Sequence, residues 1–100
     1  MEIEKISGTL ACLGQPTRLE ILQLLAPYSR GDTARGVPAG HISDALNLAP
    51  ATLSFHLKDL LYRGLVSQKR EGRMIRYRVN IAAVASALEY VVTEICGVSE

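Results

Sequence analysis

Basic side chains concentrate in one short part of this chain, where their chemistry suits the binding of phosphate groups. Between Lys58 and Arg78 there are seven basic residues and two acidic ones, a local charge of +5. The rest of the chain has four basic and eight acidic residues, so the formal net charge of +1 conceals a strong asymmetry. Such a pattern favours a surface for a polyanion over the alternative, a uniformly solvated face.

The first basic segment predicts a helix that fits a nucleic-acid groove. In residues 50–63, Pro50 suits the first helical position, and leucines form one apolar stripe at helical spacing. Small residues near the amino end allow close approach to base edges, and hydroxyl groups there can bond to bases or phosphates. The candidate DNA-binding residues of this helix are Ala51, Thr52, Ser54, Phe55, His56, Lys58 and Arg63.

Two aromatic residues of this helix have competing interpretations. Phe55 lies opposite the leucine stripe, where either a neighbouring element covers it or it contacts a thymine methyl group or a sugar. His56 lies at the edge of the stripe. For His56 we expect a partly buried hydrogen-bonding role rather than metal ligation, because no further ligand lies four residues away.

A two-stranded ribbon follows this helix after Gly64, which is a natural left-handed stop. Residues 65–70 and 74–79 alternate as the strands of a hairpin do, with a turn at 71–73. Arg76 and Arg78 share the outward face of the second strand, and guanidinium groups there suit phosphates or a narrow minor groove. The candidate DNA-binding residues of the ribbon are Lys69, Arg70, Arg73 and Arg76.

The remaining elements must hold these two segments in place. Apolar spacing predicts a first helix before Gly14, a second and largely buried helix that begins at Pro16, and a last helix from Ile81 onwards. Residues 27–37 are predicted to form a loop. A short helix with an inward face of Ile42, Ala45 and Leu46 comes next, and Asn47 begins the turn from it to the helix of residues 50–63; these two helices are the docking helices. The prediction is a mainly α-helical fold with a small β-hairpin, a winged helix-turn-helix in the order α-α-α-α-β-β-α. It forms a single domain of residues 1–100.

The first and last helices each carry an apolar stripe, and so small a domain cannot easily bury both stripes by itself. A two-fold dimer in which the terminal helices pair is the economical solution. The alternative is a last helix folded on its own core. The predicted dimer-interface residues are Ile3, Ile6, Leu10, Leu88, Val91, Val92 and Ile95.

Composition and motifs argue against several other classes. No apolar run approaches the roughly 20 residues that cross a bilayer, and the acidic amino terminus is unlike a secretory signal. We therefore expect a cytoplasmic protein with no membrane partner. We expect no enzymatic activity either, because the chain has no glycine-rich phosphate loop, no acid pair and no histidine spaced to activate a nucleophile. The rival binding class is a winged-helix module for protein instead of DNA.

Three stretches of the chain combine into a specific pattern: GQPTRLEILQLL at 14–25, ISDALNLAPATLSFHLKDLLYRGLV at 42–66 and EGR at 71–73. In them the chain resembles the ArsR/SmtB family of bacterial dimeric winged-helix repressors, and the resemblance covers nearly its whole length. It implies a homodimer on a short palindromic DNA operator, released when an inducer binds. It also implies base-reading positions at Thr52, Ser54 and Phe55, although family members often have Gln or Arg where Phe55 stands.

The chain lacks the ligand residues of two kinds of inducer site that the resemblance would allow. Family members that sense arsenite or cadmium carry a Cys-Val-Cys in the first docking helix, and the matching residues 41–45 contain no cysteine. Members that sense zinc or nickel use Asp and His on the last helix, which here has no histidine. The resemblance therefore gives no complete metal site of either kind.

Two cysteines remain as candidate effector residues. The tail TEICG resembles a subgroup whose last helix ends in adjacent cysteines that bind trivalent arsenic, although Cys96 is the single thiol here. Persulfide-sensing members pair cysteines of the second and last helices, and Cys12 lies just before the second helix. We predict arsenite, antimonite or a reactive sulfur species as inducer, acting at Cys96 and secondarily Cys12. The alternatives are a regulator without thiol sensing and, for Cys12, a buried inert side chain.

Overall fold

The computed structural model describes residues 2–98, which form five helices and a three-stranded antiparallel sheet. The helices are α1 (Ile3–Leu13), α2 (Pro16–Leu25), α3 (Ala39–Leu46), α4 (Pro50–Tyr62) and α5 (Ile81–Tyr90). The strands are β1 (Val37–Pro38), β2 (Val66–Glu71) and β3 (Met74–Val79), in the spatial order β1-β3-β2. A π-helical turn, Val91–Ile95, continues α5. The predicted winged helix-turn-helix is confirmed.

A tight turn joins α3 to α4, as the sequence predicts. Asn47 takes a left-handed conformation, with φ of 54° and ψ of 48°. The Leu48 N–H donates to the Ser43 carbonyl at 2.9 Å, and the Ser43 hydroxyl donates to the Leu48 carbonyl at 2.6 Å. The turn therefore satisfies backbone groups at the end of α3 that would otherwise lack a partner, and it fixes how α4 leaves α3.

Both ends of α4 follow from local residue chemistry. Pro50 occupies the first helical position, where its missing N–H costs nothing, and Ala49 gives no side-chain cap. At the other end Gly64 has φ of +71°, and the Leu65 N–H donates to the Leu60 carbonyl at 2.9 Å. The left-handed conformation of Gly64 ends α4, and β2 begins two residues later. The ribbon therefore starts at a fixed distance from α4.

The core is aliphatic and centres on α2 and α4. Ile21 and Leu25 of α2 and Leu60 of α4 are fully buried. The predicted leucine stripe of α4 faces this core, with Leu53 and Leu57 buried as well. Because one side of α4 is fixed inward by these side chains, its other side is directed to solvent.

One strand was not predicted. Val37 and Pro38 form β1, which pairs with Tyr77 and Arg76 of β3, so the sheet has three strands instead of a two-stranded hairpin. Residues 27–37 were expected to be loop throughout, yet the short 3-10 turn Gly31–Thr33 lies within them and a second one, Ala26–Tyr28, overlaps their start. A strand of two residues shows no alternation, and a proline within it argues against a strand from sequence alone.

Candidate nucleic-acid interface

The predicted reading surface lies on the solvent side of α4. Thr52, Ser54 and Phe55 are exposed near its amino end, as are the neighbouring Ala51 and Lys58. The first residue of α4 lies directly after the tight turn from α3, so these side chains project from a rigid helix. An exposed helix with hydroxyl-bearing and small residues at its amino end matches the geometry by which helix-turn-helix proteins contact base edges.

Phe55 is open to solvent instead of being covered by a neighbouring element. Its side chain is 62% exposed, which is unusual for a large apolar residue on a helix that also packs into a core. The guanidinium of Arg18 lies 5.7 Å from the centre of its ring, and the His56 ring meets it edge-on at 5.4 Å. With most of its area still exposed beside these two contacts, the ring is available to a partner.

Arg18 of α2 joins α1 and α2 to the reading helix, a role that the sequence analysis missed. Its Nη2 lies 2.6 Å from Oδ2 of Asp59, and its Nε donates to Nδ1 of His56 at 3.1 Å. Its Nη1 lies 3.6 Å from Sγ of Cys12 on α1. Arg18 thus contacts α4 through an ion pair with Asp59, a hydrogen bond to His56 and the ring of Phe55. These contacts fix the rotation of α4 against α2.

His56 was predicted both as a DNA contact and as a hydrogen-bonded residue, and only the second prediction fits its position. Its side chain is 7% exposed and faces α2, so it cannot reach DNA without unpacking the helix. Burial lowers the pKa of His56 below its usual 6.5, and the nearby Arg18 cation lowers the pKa further. The imidazole is therefore neutral at pH 7, with Nδ1 accepting from Arg18.

The ribbon carries exposed cations from its tip along both strands. Arg73 follows Gly72, whose φ of +62° makes the turn, and both Lys69 and Arg70 are exposed on β2. Arg76 is more constrained than predicted, because its Nε donates to Oε1 of Glu71 at 2.9 Å. The predicted ribbon residues are thus brought together on one projecting element, with Arg76 in an ion pair.

Arg63 lies apart from the amino-terminal reading residues, at the end of α4. Its guanidinium lies 5.7 Å from the centre of the Tyr62 ring and against Gly8 of α1, where a methyl group would collide with it. Arg63 is therefore held against the first helix. An arginine in this position suits a backbone phosphate more than a base edge.

The predicted dimer residues divide into exposed and buried members. Ile3, Leu88 and Ile95 are 67%, 48% and 72% exposed, and Val92 is exposed as well. Leu10 and Val91 are half-buried. Ile6 is a correction, because at 2% exposure it belongs to the interior of the single chain and offers no surface to a partner.

An apolar groove of about 590 Å³ runs between α1, α2 and α5. Its walls include Leu10 of α1, Leu19 and Leu22 of α2, and Val84 and Leu88 of α5. Its lining is mostly apolar. Covering it would be favourable by about 25 cal/mol for each Å² of apolar surface that is removed from water. Two of the predicted dimer residues, Leu10 of α1 and Leu88 of α5, line this groove.

The two cysteines differ sharply in access. Cys12 is 5% exposed and lies beside Arg18, whereas Cys96 is exposed after the π-helical turn. Among residues 2–98 there is no group of three or more His, Cys, Asp or Glu side chains that could hold a metal ion. In the same part of the chain, no helix is both long and apolar enough to span a lipid bilayer.

Comparison with known proteins decides the family. A model described as a helix-turn-helix domain matches residues 13–68, which include α2, the α3–α4 pair and the start of the ribbon. The chain belongs to this helix-turn-helix family, and its winged fold is that of the ArsR/SmtB type. A helix-turn-helix domain implies DNA binding, and the exposed side of α4 fits that role.

Two Bacillus subtilis proteins are similar in sequence. The helix-turn-helix transcriptional regulator YdfF is 36% identical over 87 residues, which are 87% of this chain and 34% of YdfF. The transcriptional repressor SdpR is 27% identical over 85 residues, which are 85% of this chain and 87% of SdpR. The chain thus spans about a third of the length of YdfF and most of the length of SdpR.

Solved structures show the same winged architecture. An ArsR-like transcriptional regulator from Rhodococcus sp. RHA1 has a TM-score of 0.75 and 26% identity, over 94% of this chain and 80% of that one. The homodimeric winged helix-turn-helix DNA-binding domain of Mb0332 from Mycobacterium bovis has a TM-score of 0.70 and 29% identity. That match covers 92% of this chain and 81% of the Mb0332 chain.

Proposed function

We propose that the protein is a cytoplasmic, homodimeric repressor that binds a DNA operator and releases it when an inducer acts. The observation that carries this proposal is the exposed amino-terminal part of α4 beside a basic ribbon. Thr52, Ser54 and Phe55 supply groups for base edges, and Arg73 supplies a cation for phosphates. The similar protein SdpR is a transcriptional repressor by name, which supports repression as the mode of regulation.

In the proposed complex, α4 of each protomer enters the major groove by its amino end. The hydroxyls of Thr52 and Ser54 bond to base edges, and the open side of the Phe55 ring packs against a thymine methyl group. The side chains of Lys69, Arg70 and Arg73 neutralise phosphates beside the groove and carry no sequence information themselves. Sequence preference therefore resides in α4, and most of the affinity resides in the ribbon.

A second copy of this chain is the proposed occupant of the apolar groove between α1, α2 and α5. Leu88 lines the groove and is exposed, and Ile3 is a further exposed apolar side chain of α1, so a partner's terminal helices would remove apolar surface from water. The homodimeric domain of Mb0332 supports this assembly. A two-fold dimer presents two α4 helices, so we propose a palindromic operator with half-sites about one helical turn apart.

For the inducer we propose a thiophilic species, arsenite, antimonite or reactive sulfur, that acts at Cys96. Cys96 is exposed, and a soft ligand or an oxidant requires an accessible thiol. Because trivalent arsenic binds more thiolates than Cys96 supplies alone, the arsenic site would use Cys96 of both protomers or include Cys12. A regulator that lacks thiol sensing is the alternative outcome.

Selection of duplexes from a random-sequence pool tests the DNA function. We expect the purified protein to enrich an inverted repeat, and light scattering to give two protomers for each bound duplex. Enrichment of a single half-site, with one protomer bound, would contradict the dimer. No enrichment at any salt concentration would contradict DNA recognition and favour the protein-binding module.

A further inference from the structure

A cavity of about 390 Å³ lies between α1, the carboxyl end of α4 and the start of α5. Among residues 2–98, it shares no lining residue with the apolar groove proposed for dimerisation, and none of the predicted dimer residues lines it. The cavity is therefore separate from the proposed dimer surface. Its polar lining residues are Lys5, Thr9, Arg63, Asn80 and Ser86.

Thr9 of α1 supplies a buried hydroxyl group that has no partner. The residue is 6% exposed, and its hydroxyl forms no hydrogen bond within the described part of the chain. In residues 2–98 no fully enclosed polar side-chain atom lacks a partner, so the Thr9 oxygen opens onto the cavity that this residue lines. A hydroxyl removed from bulk water without a partner costs free energy, and a ligand in the cavity that accepts its proton would recover it.

The start of α5 supplies a second donor. Oδ1 of Asn80 accepts from the Ala83 N–H at 3.3 Å, and Nδ2 of Asn80 donates to the Gly64 carbonyl at 3.0 Å. The Ala82 N–H, one residue earlier in the first turn, has no acceptor among the described residues. The amino end of this ten-residue helix therefore presents an open N–H and a partial positive charge to the cavity.

Two cations from other helices line the same space, Lys5 of α1 and Arg63 of α4. The guanidinium of Arg63 packs so closely over Gly8 that a Cβ at this glycine would collide with it. Within residues 2–98, neither cation has a carboxylate at ion-pair distance. Two cations, a buried hydroxyl and a helix amino end are all complementary to an oxyanion.

We propose that this cavity binds a small phosphate monoester. Such a group carries a charge of about −1.5 to −2 at pH 7 and three strong acceptor oxygens, which match two cations and several donors. A carboxylate offers a single charge and two oxygens. The volume lies near the lower end of the roughly 300–1,000 Å³ of small-molecule sites, so the ligand carries a short organic group beside Leu65 and Ala83. The inference does not depend on the proposed function.

The test is an NMR titration of the isotope-labelled protein in phosphate-free buffer. The probe is ethyl phosphate, ethanol is the neutral control, and propionate is the carboxylate of similar size. We expect saturable shifts of the Ala82 and Ala83 amides with ethyl phosphate, weaker binding of propionate and no effect of ethanol. Tighter binding of propionate than of ethyl phosphate would overturn the assignment to a phosphate group.

Thr9→Val is the most specific variant, because it keeps the shape of the side chain and removes the hydroxyl. It should raise the Kd for ethyl phosphate about tenfold or more, the effect of losing a hydrogen bond to a charged group. Its melting temperature, followed by circular dichroism, should not fall, since the hydroxyl has no partner to lose in the described part of the protein.

Arg63→Gln is the second variant and should also raise the Kd about tenfold or more. The matched control is Arg35→Gln, which removes an exposed arginine that does not line the cavity, and it should keep the wild-type Kd. The proposal is overturned if ethyl phosphate gives no saturable shifts or shifts the ribbon amides instead of those of α5. It is also overturned if either Thr9→Val or Arg63→Gln, still folded, binds ethyl phosphate with the wild-type Kd.

A backbone phosphate of DNA is the other source of the same chemical group. Addition of the selected duplex should leave the affinity for ethyl phosphate unchanged, and Thr9→Val should bind the duplex as the wild type does. Displacement of ethyl phosphate by the duplex, together with weaker duplex binding by Thr9→Val, would assign the cavity to DNA and overturn the assignment to a free phosphate monoester.

Discussion

The guanidinium of Arg18 lies 2.6 Å from the carboxylate of Asp59, so an ion pair joins α2 to the helix that carries the reading surface. The arginine side chain is 11% exposed and the aspartate side chain is 50% exposed, which places the pair at the edge of the core. The same guanidinium also bonds to His56 and touches Phe55. The orientation of the reading helix therefore depends on a residue outside it.

Arg18→Met should destabilise the fold by about 1–3 kcal/mol, because the buried Nδ1 of His56 loses its donor. Asp59→Asn should cost less, about 0–1 kcal/mol, since Asp59 is half-exposed and water screens the pair. Urea unfolding of both variants measures the difference. Equal losses for the two variants would mean that the ion pair, and not the bond to His56, determines the contribution of Arg18.

Stability should fall as the pH drops below 6.5, partly because of His56. Its folded-state pKa is lowered, chiefly by burial and then by Arg18, so the folded protein favours the neutral imidazole. The stabilisation is fully present above the unfolded pKa of 6.5 and is lost as the pH falls through the lowered folded pKa. His56→Gln keeps an acceptor for Arg18 and does not titrate. In urea unfolding at several pH values, it should lose less stability between neutral and acid pH than the wild type, and an identical pH dependence would contradict this.

The sequence predicts much of the fold because several decisive signals are local. Pro16 and Pro50 each begin a helix, Gly64 ends one, and Asn47 makes the turn between the docking helices, each through the conformations open to a single residue. β1 escaped prediction because two residues cannot show a period.

The role of Arg18 was missed for a different reason. Its bond to His56 joins residues 38 positions apart, and spacing along the chain gives no signal for such a contact. The error about His56 has the same origin. A histidine at the edge of an apolar stripe faces either solvent or core, and the neighbour that decides is on another helix.

Leu88→Glu should dissociate the proposed dimer. The substitution puts a charge into the apolar groove between the terminal helices, and an unpaired buried charge costs several kcal/mol. Sedimentation velocity should show a dimer for the wild type and a monomer for Leu88→Glu. Tyr62→Glu, which changes an exposed aromatic side chain on α4, is the control and should sediment as a dimer. A wild-type monomer at micromolar concentration would refute the assembly.

Cys96→Ser should abolish the response to a thiophilic inducer and leave DNA affinity unchanged, because Cys96 is exposed and outside the reading surface. Cys12→Ser should have a smaller effect on induction, since Cys12 is buried. Release of the selected duplex by arsenite, antimonite and persulfide is measured for the wild type and both variants. If Cys96→Ser still releases DNA normally, or if none of the three reagents releases the wild type, the inducer acts elsewhere.

The central claim is that α4 reads bases while the ribbon holds phosphates, and the salt dependence of DNA affinity tests it most directly. Affinities for the selected duplex and for a scrambled duplex are measured at several salt concentrations for the wild type, Thr52→Ala, Phe55→Ala and Arg73→Ala. We predict a steep loss of wild-type affinity with salt and a smaller slope for Arg73→Ala, which should weaken binding to both duplexes alike. Thr52→Ala and Phe55→Ala should keep the wild-type slope and lose about 1–3 kcal/mol of preference for the selected duplex. A flat salt dependence of the wild type, or an Arg73→Ala variant with wild-type affinity and slope, would contradict the account.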